Sequence, residues 1–240
     1  MKPISKYFFS LYLLLSTIAT FAQANDSVVI PPKIERYGIR VGADLSKIAR
    51  TIYDSNYQGL ELVGDFRLNK KYYFAAELGS ENKTTDDELI NFKTTGTYIK
   101  VGFDYNAHEN WLDLENIISI GLRYSASRFS QKINSYEVYN TNPYFGAIPD
   151  TPSGREFGGL SAQWVEVVAG VKTRVFDNFF VGFTLRANRL VSNQKPVGFD
   201  NLYIPGFNRT YDGDFGVGFN YTLTYFIPIY KKKIVAGKKL

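Results

Sequence analysis

Charged side chains recur at alternate positions along several segments of this 240-residue chain. Residues two apart in an extended strand lie on the same face, so the charges of each segment would point to one side. Seven cations and six carboxylates follow this pattern: Arg40, Arg67, Lys100, Arg123, Lys172, Arg174 and Arg186 with Asp44, Glu61, Asp65, Glu77, Asp104 and Glu166. Buried charges are costly unless they are paired, so their near balance predicts an ion-pair and hydrogen-bond network. A proton or ion relay through the same charges is the functional alternative.

The residues that could support catalysis are few. His108 is the only histidine and falls in a segment that ends at Trp111, which predicts a solvated turn. Asp86 and Asp87 are adjacent, so their side chains would diverge instead of forming an acid–base pair. The chain has no cysteine, which excludes a lipoprotein anchor, a disulfide framework and a thiolate metal site. We predict no enzyme activity, no catalytic residue, no cofactor and no metal.

The elements that would position these charges are strands, and residues 215–230 show the pattern best. Odd positions there are apolar or aromatic, and even positions are mostly Gly, Asn and Thr, as in a strand between lipid and a wet lumen. About 9 to 11 tilted residues cross a bilayer as a strand. Seven other segments have the same period: 37–45, 60–68, 72–79, 97–105, 118–125, 165–172 and 179–188. The prediction is an all-β fold, an eight-stranded antiparallel up-and-down transmembrane β-barrel.

The connections differ in length between the two ends of this predicted barrel. Segments 69–70, 106–115 and 177–178 would be turns on the periplasmic side, and 81–91, 131–158 and 193–212 would be longer outer loops. Aromatic residues in these loops could contact a glycan or a protein, or could pack the loops together over the barrel mouth. The contact candidates are Tyr136, Tyr139, Tyr144, Phe145, Tyr203, Phe207 and Tyr211.

A soluble lipocalin-like barrel or β-sandwich has the same period and is the rival fold. It would turn the apolar face inward and the charged face to water. The charged face here is rich in Gly and small residues, which suits a crowded lumen, and the apolar face is larger than one eight-stranded interior holds.

The two ends of the chain predict export. Lys2 and Lys6 precede an apolar stretch that ends before Ala22-Gln23-Ala24, so residues 1–24 resemble a cleaved signal peptide. Residues 25–35 would be a periplasmic N-terminal segment, 36–230 the barrel and 231–240 a basic periplasmic tail. The predicted location is the outer membrane of a Gram-negative bacterium.

The charge of the chain is concentrated in those two ends. The formal net charge is +5, and seven lysines lie in the predicted signal and tail, so residues 25–230 carry −2. A nucleic-acid partner is therefore not expected. The 18 tyrosines and 19 phenylalanines would supply aromatic girdles at both membrane interfaces. The expected partners are outer-membrane lipids and lipopolysaccharide, with an envelope protein as a further candidate.

Segments 37–46, 63–68, 75–79, 201–212 and the closing strand with its lysines carry a resemblance. On these, the chain resembles an uncharacterised family of outer-membrane β-barrel proteins of Bacteroidota, a domain of unknown function that is similar in architecture to OmpA-like and PorT-like barrels. The resemblance implies a porin-like barrel in the outer membrane and implies no activity.

Three functional hypotheses follow. The first is a non-enzymatic barrel with a plugged, ion-paired lumen and a structural or surface-interaction role. The second is an accessory component of a secretion or envelope-assembly machine. The third is a lipid-modifying outer-membrane enzyme.

Overall fold

The computed structural model describes residues 33–108, 115–137, 151–208 and 214–234. Within them, eight strands and one short helix follow one another along the chain. Their bounds are β1 Lys33–Asp44, α1 Leu45–Tyr53, β2 Tyr57–Arg67, β3 Tyr72–Asp87, β4 Ile90–Asn106, β5 Ile117–Tyr136, β6 Thr151–Phe176, β7 Phe179–Asn193 and β8 Phe215–Ile234. Consecutive strands pair antiparallel and the sheet closes into a barrel. The prediction of an all-β, eight-stranded up-and-down barrel is confirmed.

The two faces of the sheet have opposite polarity. On β5, Ile118, Ile120 and Leu122 are 48%, 60% and 60% exposed, and their neighbours Ser119 and Arg123 are 7% and 4% exposed. The other strands follow the same alternation, because side chains of a strand point alternately to its two sides. The inside of the barrel therefore holds the polar and charged residues, and the outside is apolar except near one end.

Tight turns join the strands at the end of the barrel where β1 begins and β8 ends, which we call the terminal end. Residues 68–71 connect β2 to β3, around the predicted turn 69–70, and Asp177-Asn178 connect β6 to β7, as the sequence predicts. Asn178 has φ of 64°, which asparagine tolerates better than most residues. His108 also lies at this end, just after β4, and residues 109–114 of the same predicted turn lie outside the described residues.

The strands extend further at the opposite end, which we call the helix end, than the sequence predicts. β3 and β4 continue to Asp87 and Ile90, so the predicted loop 81–91 is wrong. The flanks of the predicted loop 131–158 are likewise strand, in β5 and β6, and residues 138–150 lie outside the described residues. The outward side chains there are polar, as at Ser80, Asn82 and Thr95, so the apolar alternation that marks a membrane strand is missing from the sequence.

The helix α1 begins directly after β1, at Leu45, where the sequence pattern predicts the end of a strand and no helix. Asp44 caps it, since its carboxylate accepts a hydrogen bond from the Ser46 N–H at 2.9 Å. Apolar residues recur at helical spacing from Leu45 to Ile52, yet no residue of the helix is buried, and Ile52 and Tyr53 are 82% and 77% exposed. Among the described residues, no helix has the length and apolar character to cross a membrane.

Candidate functional site: the filled lumen

The centre of the lumen holds a cluster that joins opposite walls of the barrel. The Nη1 of Arg186 on β7 lies 2.8 Å from Glu77 Oε2 on β3 and 2.8 Å from Glu166 Oε2 on β6. Lys100 Nζ is 3.1 Å from Glu166 Oε1, and the Trp164 indole N–H donates to the same oxygen at 2.6 Å. The side chains of these pairs are almost fully buried, so each charge depends on its partners for solvation.

A second pair extends the central cluster along β4 and β5. Arg123 Nη2 donates to both carboxylate oxygens of Asp104, at 2.7 and 2.8 Å. Its Nε lies 3.7 Å from Glu77 Oε1, so Glu77 is shared between two arginines. A carboxylate with several charge-assisted contacts is held firmly in one position.

Asp65 forms a separate cluster on the side of the terminal end. Arg40 donates to Asp65 Oδ1 at 2.7 Å, and Lys172 donates to Oδ2 at 2.5 Å. The guanidinium of Arg40 also lies 4.9 Å from the ring centre of Tyr73 and 5.3 Å from that of Phe180. Cation–π contacts of this kind strengthen when water is excluded, so the two rings help to hold the buried arginine.

Glu61 and Asp44 meet on the side of the helix end, where one amide of β8 joins them. Asn220 Nδ2 donates to Asp44 Oδ2 at 2.5 Å and to Glu61 Oε1 at 2.7 Å. The Tyr98 hydroxyl donates to Glu61 Oε2 at 2.5 Å. Lys47 of α1 lies 3.8 Å from the same oxygen and links this cluster to the helix end.

Glu81 is a buried carboxylate, 1% exposed, beyond Leu78, the last outward apolar residue of β3. It forms an ion pair with Lys47 and accepts hydrogen bonds from the Tyr57 hydroxyl at 3.1 Å and the Tyr203 hydroxyl at 2.6 Å. The Gly206 N–H also donates to it, at 3.1 Å. Burial alone would raise the pKa of Glu81, but the charge of Lys47 and these hydrogen bonds outweigh it and lower the pKa to about 2. Glu81 is therefore a fixed anion that ties α1 and the β7–β8 connection to β3.

Residues 201–208 of the β7–β8 connection form a plug in the mouth of the barrel at the helix end. Ile204 and Phe207 are 0% exposed, and the Phe207 ring packs edge-on against Trp164 at a centroid distance of 5.6 Å. Pro205-Gly206 form the centre of a tight turn, in which the Phe207 N–H donates to the Ile204 carbonyl at 3.0 Å. The plug and the lumen network thus form one continuous filling.

Glycine is required at the tip of the plug. Gly206 has φ of +81°, and a Cβ there would lie 2.5 Å from Cγ of Tyr98. Any side chain would strain the backbone and collide with the ring of Tyr98, whose hydroxyl donates to Glu61. The turn and the network therefore constrain each other through Tyr98.

The structure brings most of the predicted lumen residues together in these clusters. Two of them, Arg67 and Arg174, instead lie at the rim of the terminal end. Arg67 is 4.0 Å from Glu35 and its guanidinium lies 4.8 Å from the ring centre of Tyr37, and Arg174 is 3.7 Å from Glu115. Neither of these two rim glutamates was predicted.

The residues predicted as loop contacts are not all exposed. Tyr203 and Phe207 are 2% and 0% exposed, so they are not available to a partner, because the plug carries them into the mouth of the barrel. Tyr136 packs edge-on against Phe199 at 5.9 Å. The remaining candidates, Tyr139, Tyr144, Phe145 and Tyr211, lie outside the described residues.

Sequence reasoning missed Lys47, Glu81, Trp164 and Asn220 as members of the filling. A signal existed for three of them, because Trp164 lies two residues before Glu166 on the inward face of β6. Glu81 continues the inward positions of β3 at the spacing of Glu77, and Asn220 lies on the polar face of the closing strand. Lys47 belongs to α1, and the strand pattern that runs into Leu45 hides the helical signal that would mark it. In the part of the chain that the structure describes, no group of three or more His, Cys, Asp or Glu is arranged to hold a metal ion.

Comparisons with known proteins give two similarities. The profile of a family described as Domain of unknown function (DUF6048) matches residues 4–232. The crystal structure of Ail, the attachment invasion locus protein of Yersinia pestis, is similar to 82% of this chain over 98% of its own length, with 12% identity and a TM-score of 0.40. No curated protein matches the chain.

Proposed function

The chain belongs to the family described as Domain of unknown function (DUF6048), and from that premise we propose that it is a non-enzymatic outer-membrane β-barrel with a closed lumen and a structural or surface-interaction role. In this proposal the strands cross the bilayer and the terminal end faces the periplasm. The helix end, with α1 and the plug, faces the outside of the cell.

The single observation that carries the proposal is the inverted polarity of the barrel. Leu62, Leu122 and Leu185 are 54%, 60% and 55% exposed on the outside, and the charged groups are inside. A barrel in water would expose its charges and bury such residues, because apolar burial is the main favourable term in folding. A continuous apolar exterior is what a bilayer requires.

Aromatic residues border this apolar exterior at the terminal end. Tyr72 and Tyr105 pack against each other at 5.4 Å beside the β2–β3 turn, and Phe179 packs against Tyr225 at 5.0 Å beside the β6–β7 turn. All four are exposed. Aromatic girdles lie at the membrane interface, and tyrosine favours it because its ring is apolar and its hydroxyl is polar, so these pairs mark the proposed periplasmic boundary.

The filled lumen supports a barrel that neither conducts nor catalyses. The carboxylates of Glu77, Glu166 and Asp65 are all engaged by cations, so none is poised as a free acid or base. The mouth at the helix end is closed by packed apolar residues around Phe207. A role at the surfaces is then the function that remains for the barrel, with lipids and lipopolysaccharide around its apolar exterior.

A charge placed on the outside tests the membrane assignment. Leu122→Arg should lower the free energy of unfolding by about 2–4 kcal/mol for protein folded into liposomes, because the arginine would enter the apolar interior of the bilayer. Gln58→Arg is the matched control, since Gln58 is an exposed, outward residue near the helix end of β2. It should change the free energy by no more than about 0.5 kcal/mol.

Urea titrations of the liposome-folded variants would measure both values. Equal, small effects of the two arginines would contradict the proposal, because a water-exposed surface tolerates charge at either position. Failure of the wild-type chain to enter liposomes would contradict it as well.

A further inference from the structure

A groove crosses the outside of β2–β5 near the helix end. It encloses about 540 Å³, and Leu62, Leu78 and Ile99 form its apolar floor. These residues are cross-strand neighbours in one row, which continues to Ala126 on β5. Alanine carries only a methyl group, so the row leaves space beside Ile99 that a larger residue would fill.

The next row toward the helix end is the rim of the groove and is mostly polar. Leu60, Ser80, Thr97 and Arg128 pair in that order across the four strands. Arg128 is exposed and forms no ion pair with an acidic residue of the described chain. Among the described residues, the groove thus combines an apolar floor with one cation at its polar edge that has no acidic partner.

We propose that this groove binds one phosphorylated lipid of the outer leaflet. An acyl chain lies along the floor, and the phosphate binds Arg128 with the Thr97 hydroxyl directly across from it. The inference rests on the proposed function, because it requires the apolar exterior to lie in a bilayer. A guanidinium pairs with phosphate oxygens through two parallel hydrogen bonds, and its position at the end of the apolar rows is the depth of lipid headgroups.

The chemistry of the groove favours a lipid over a protein segment. An acidic peptide would need cations spread along the floor, and the floor is apolar. A second copy of this chain would present another outward apolar face and would leave Arg128 without an anion. Charge and apolar area are both matched by a molecule with one anionic head and a long hydrocarbon chain.

Native mass spectrometry of the detergent-solubilised full chain tests the assignment. Phosphatidylglycerol and a glucosyl diacylglycerol with the same acyl chains are titrated separately as probes. The phosphorylated lipid should bind about tenfold more tightly, as expected for one charge-assisted contact. Arg128→Gln should remove that preference. Lys132→Gln, which removes another exposed cation of β5, should preserve it.

A second variant separates the two parts of the groove. Ala126→Leu should fill the space beside Ile99 and weaken the binding of both lipids about equally, leaving the preference for phosphate in place. Equal affinity for the two lipids, an unchanged preference in Arg128→Gln, or an equal loss in Lys132→Gln would overturn the proposal. A dimer mass in place of the lipid adduct would assign the groove to a second copy and would also overturn it.

The test is independent of the membrane assignment. If Leu122→Arg is costly in liposomes and the lipids bind without preference, the groove proposal fails and the proposed function stands. If Leu122→Arg is harmless, the proposed function fails first.

Discussion

Glu81 is the residue that joins the helix end of the barrel most directly, although the alternating charges of the sequence did not include it. It connects α1 through Lys47, β2 through Tyr57 and the plug through Tyr203 and Gly206. Because one buried carboxylate holds three elements, its neutralisation should loosen all of them together.

Glu81→Gln should lower the free energy of unfolding by about 3 kcal/mol, because it leaves the ammonium of Lys47 without its main partner in a buried site. Urea unfolding in detergent micelles measures the change. Glu88→Gln, in the exposed β3–β4 turn, is the control and should stay within about 0.5 kcal/mol of wild type. Similar values for the two variants would show that Glu81 does not hold the plug.

The same carboxylate predicts a dependence on pH. Its pKa is lowered to about 2 from an ordinary value of 4.5, so the stability from its ionised form is present in full above pH 4.5 and is lost as the pH falls toward 2. Wild-type protein should therefore lose stability more steeply than Glu81→Gln over this range. Parallel curves from urea titrations at several pH values would contradict the prediction.

Gly206→Ala should be more damaging than Gly198→Ala. Both glycines have φ of +81°, so alanine strains the backbone at each, but only at Gly206 would the new Cβ meet a ring, that of Tyr98. We expect a loss of about 1–3 kcal/mol from strain at either site and a larger loss at Gly206. Thermal unfolding followed by circular dichroism compares them, and equal losses would mean that the contact with Tyr98 is unimportant.

For single residues, the sequence predicted which side chains point into the lumen, but it did not predict which of them form ion pairs with each other. Alternation places Arg186 and Glu77 on inner faces, but their pairing depends on β3 and β7 facing each other across the lumen. For Tyr203 and Phe207 the sequence left open a contact surface and packing over the barrel mouth, and their burial agrees with packing. A segment rich in turn residues does not by itself decide between the two.

Helix α1 exposes large apolar side chains that are unfavourable in water. Ile52 and Tyr53 are its most exposed apolar residues, and the helix follows directly on β1, whose outward residues Ile39 and Val41 belong to the apolar exterior. An amphipathic helix in this position fits the interface of a bilayer, with its apolar side toward lipid.

Labelling at cysteine tests the position of α1, since the chain has no cysteine of its own. A fluorophore attached at Ile52→Cys should be quenched by nitroxide-labelled lipids in liposomes. The same fluorophore at Ser55→Cys, in the exposed turn after the helix, should be quenched mainly by aqueous iodide. Equal iodide quenching at both sites would show that the helix stays in water.

The strands could be predicted from sequence only where lipid would face them. Residues 72–79 show the apolar alternation, and the rest of β3, up to Asp87, does not, because polar residues occupy its outer face. The helix had a readable signal in Asp44 and the spacing of Leu45, Ile48 and Ile52. The strand alternation of residues 37–45 runs into its first residue and hides that signal.

For the whole molecule, the filled lumen predicts that the barrel does not conduct ions. In planar bilayers the wild-type chain should give no stable open steps, because the central cluster spans the lumen below the plug. Replacing residues 201–208 with a Gly-Ser linker should leave it silent as well. A wide-pore porin is the positive control for the recording. Stable steps from the wild-type chain would contradict a closed lumen.

The contacts of Asn220 determine when the barrel can form during folding. Asn220 is 176 positions from Asp44 and 159 from Glu61, so the two carboxylates receive this donor only after the last strand has arrived. Contacts between such distant positions slow folding, because the chain loses its freedom before the contact is gained. Assembly of this barrel should therefore be slow and all-or-none. A chain that ends before β8 should not close into a stable barrel of seven strands.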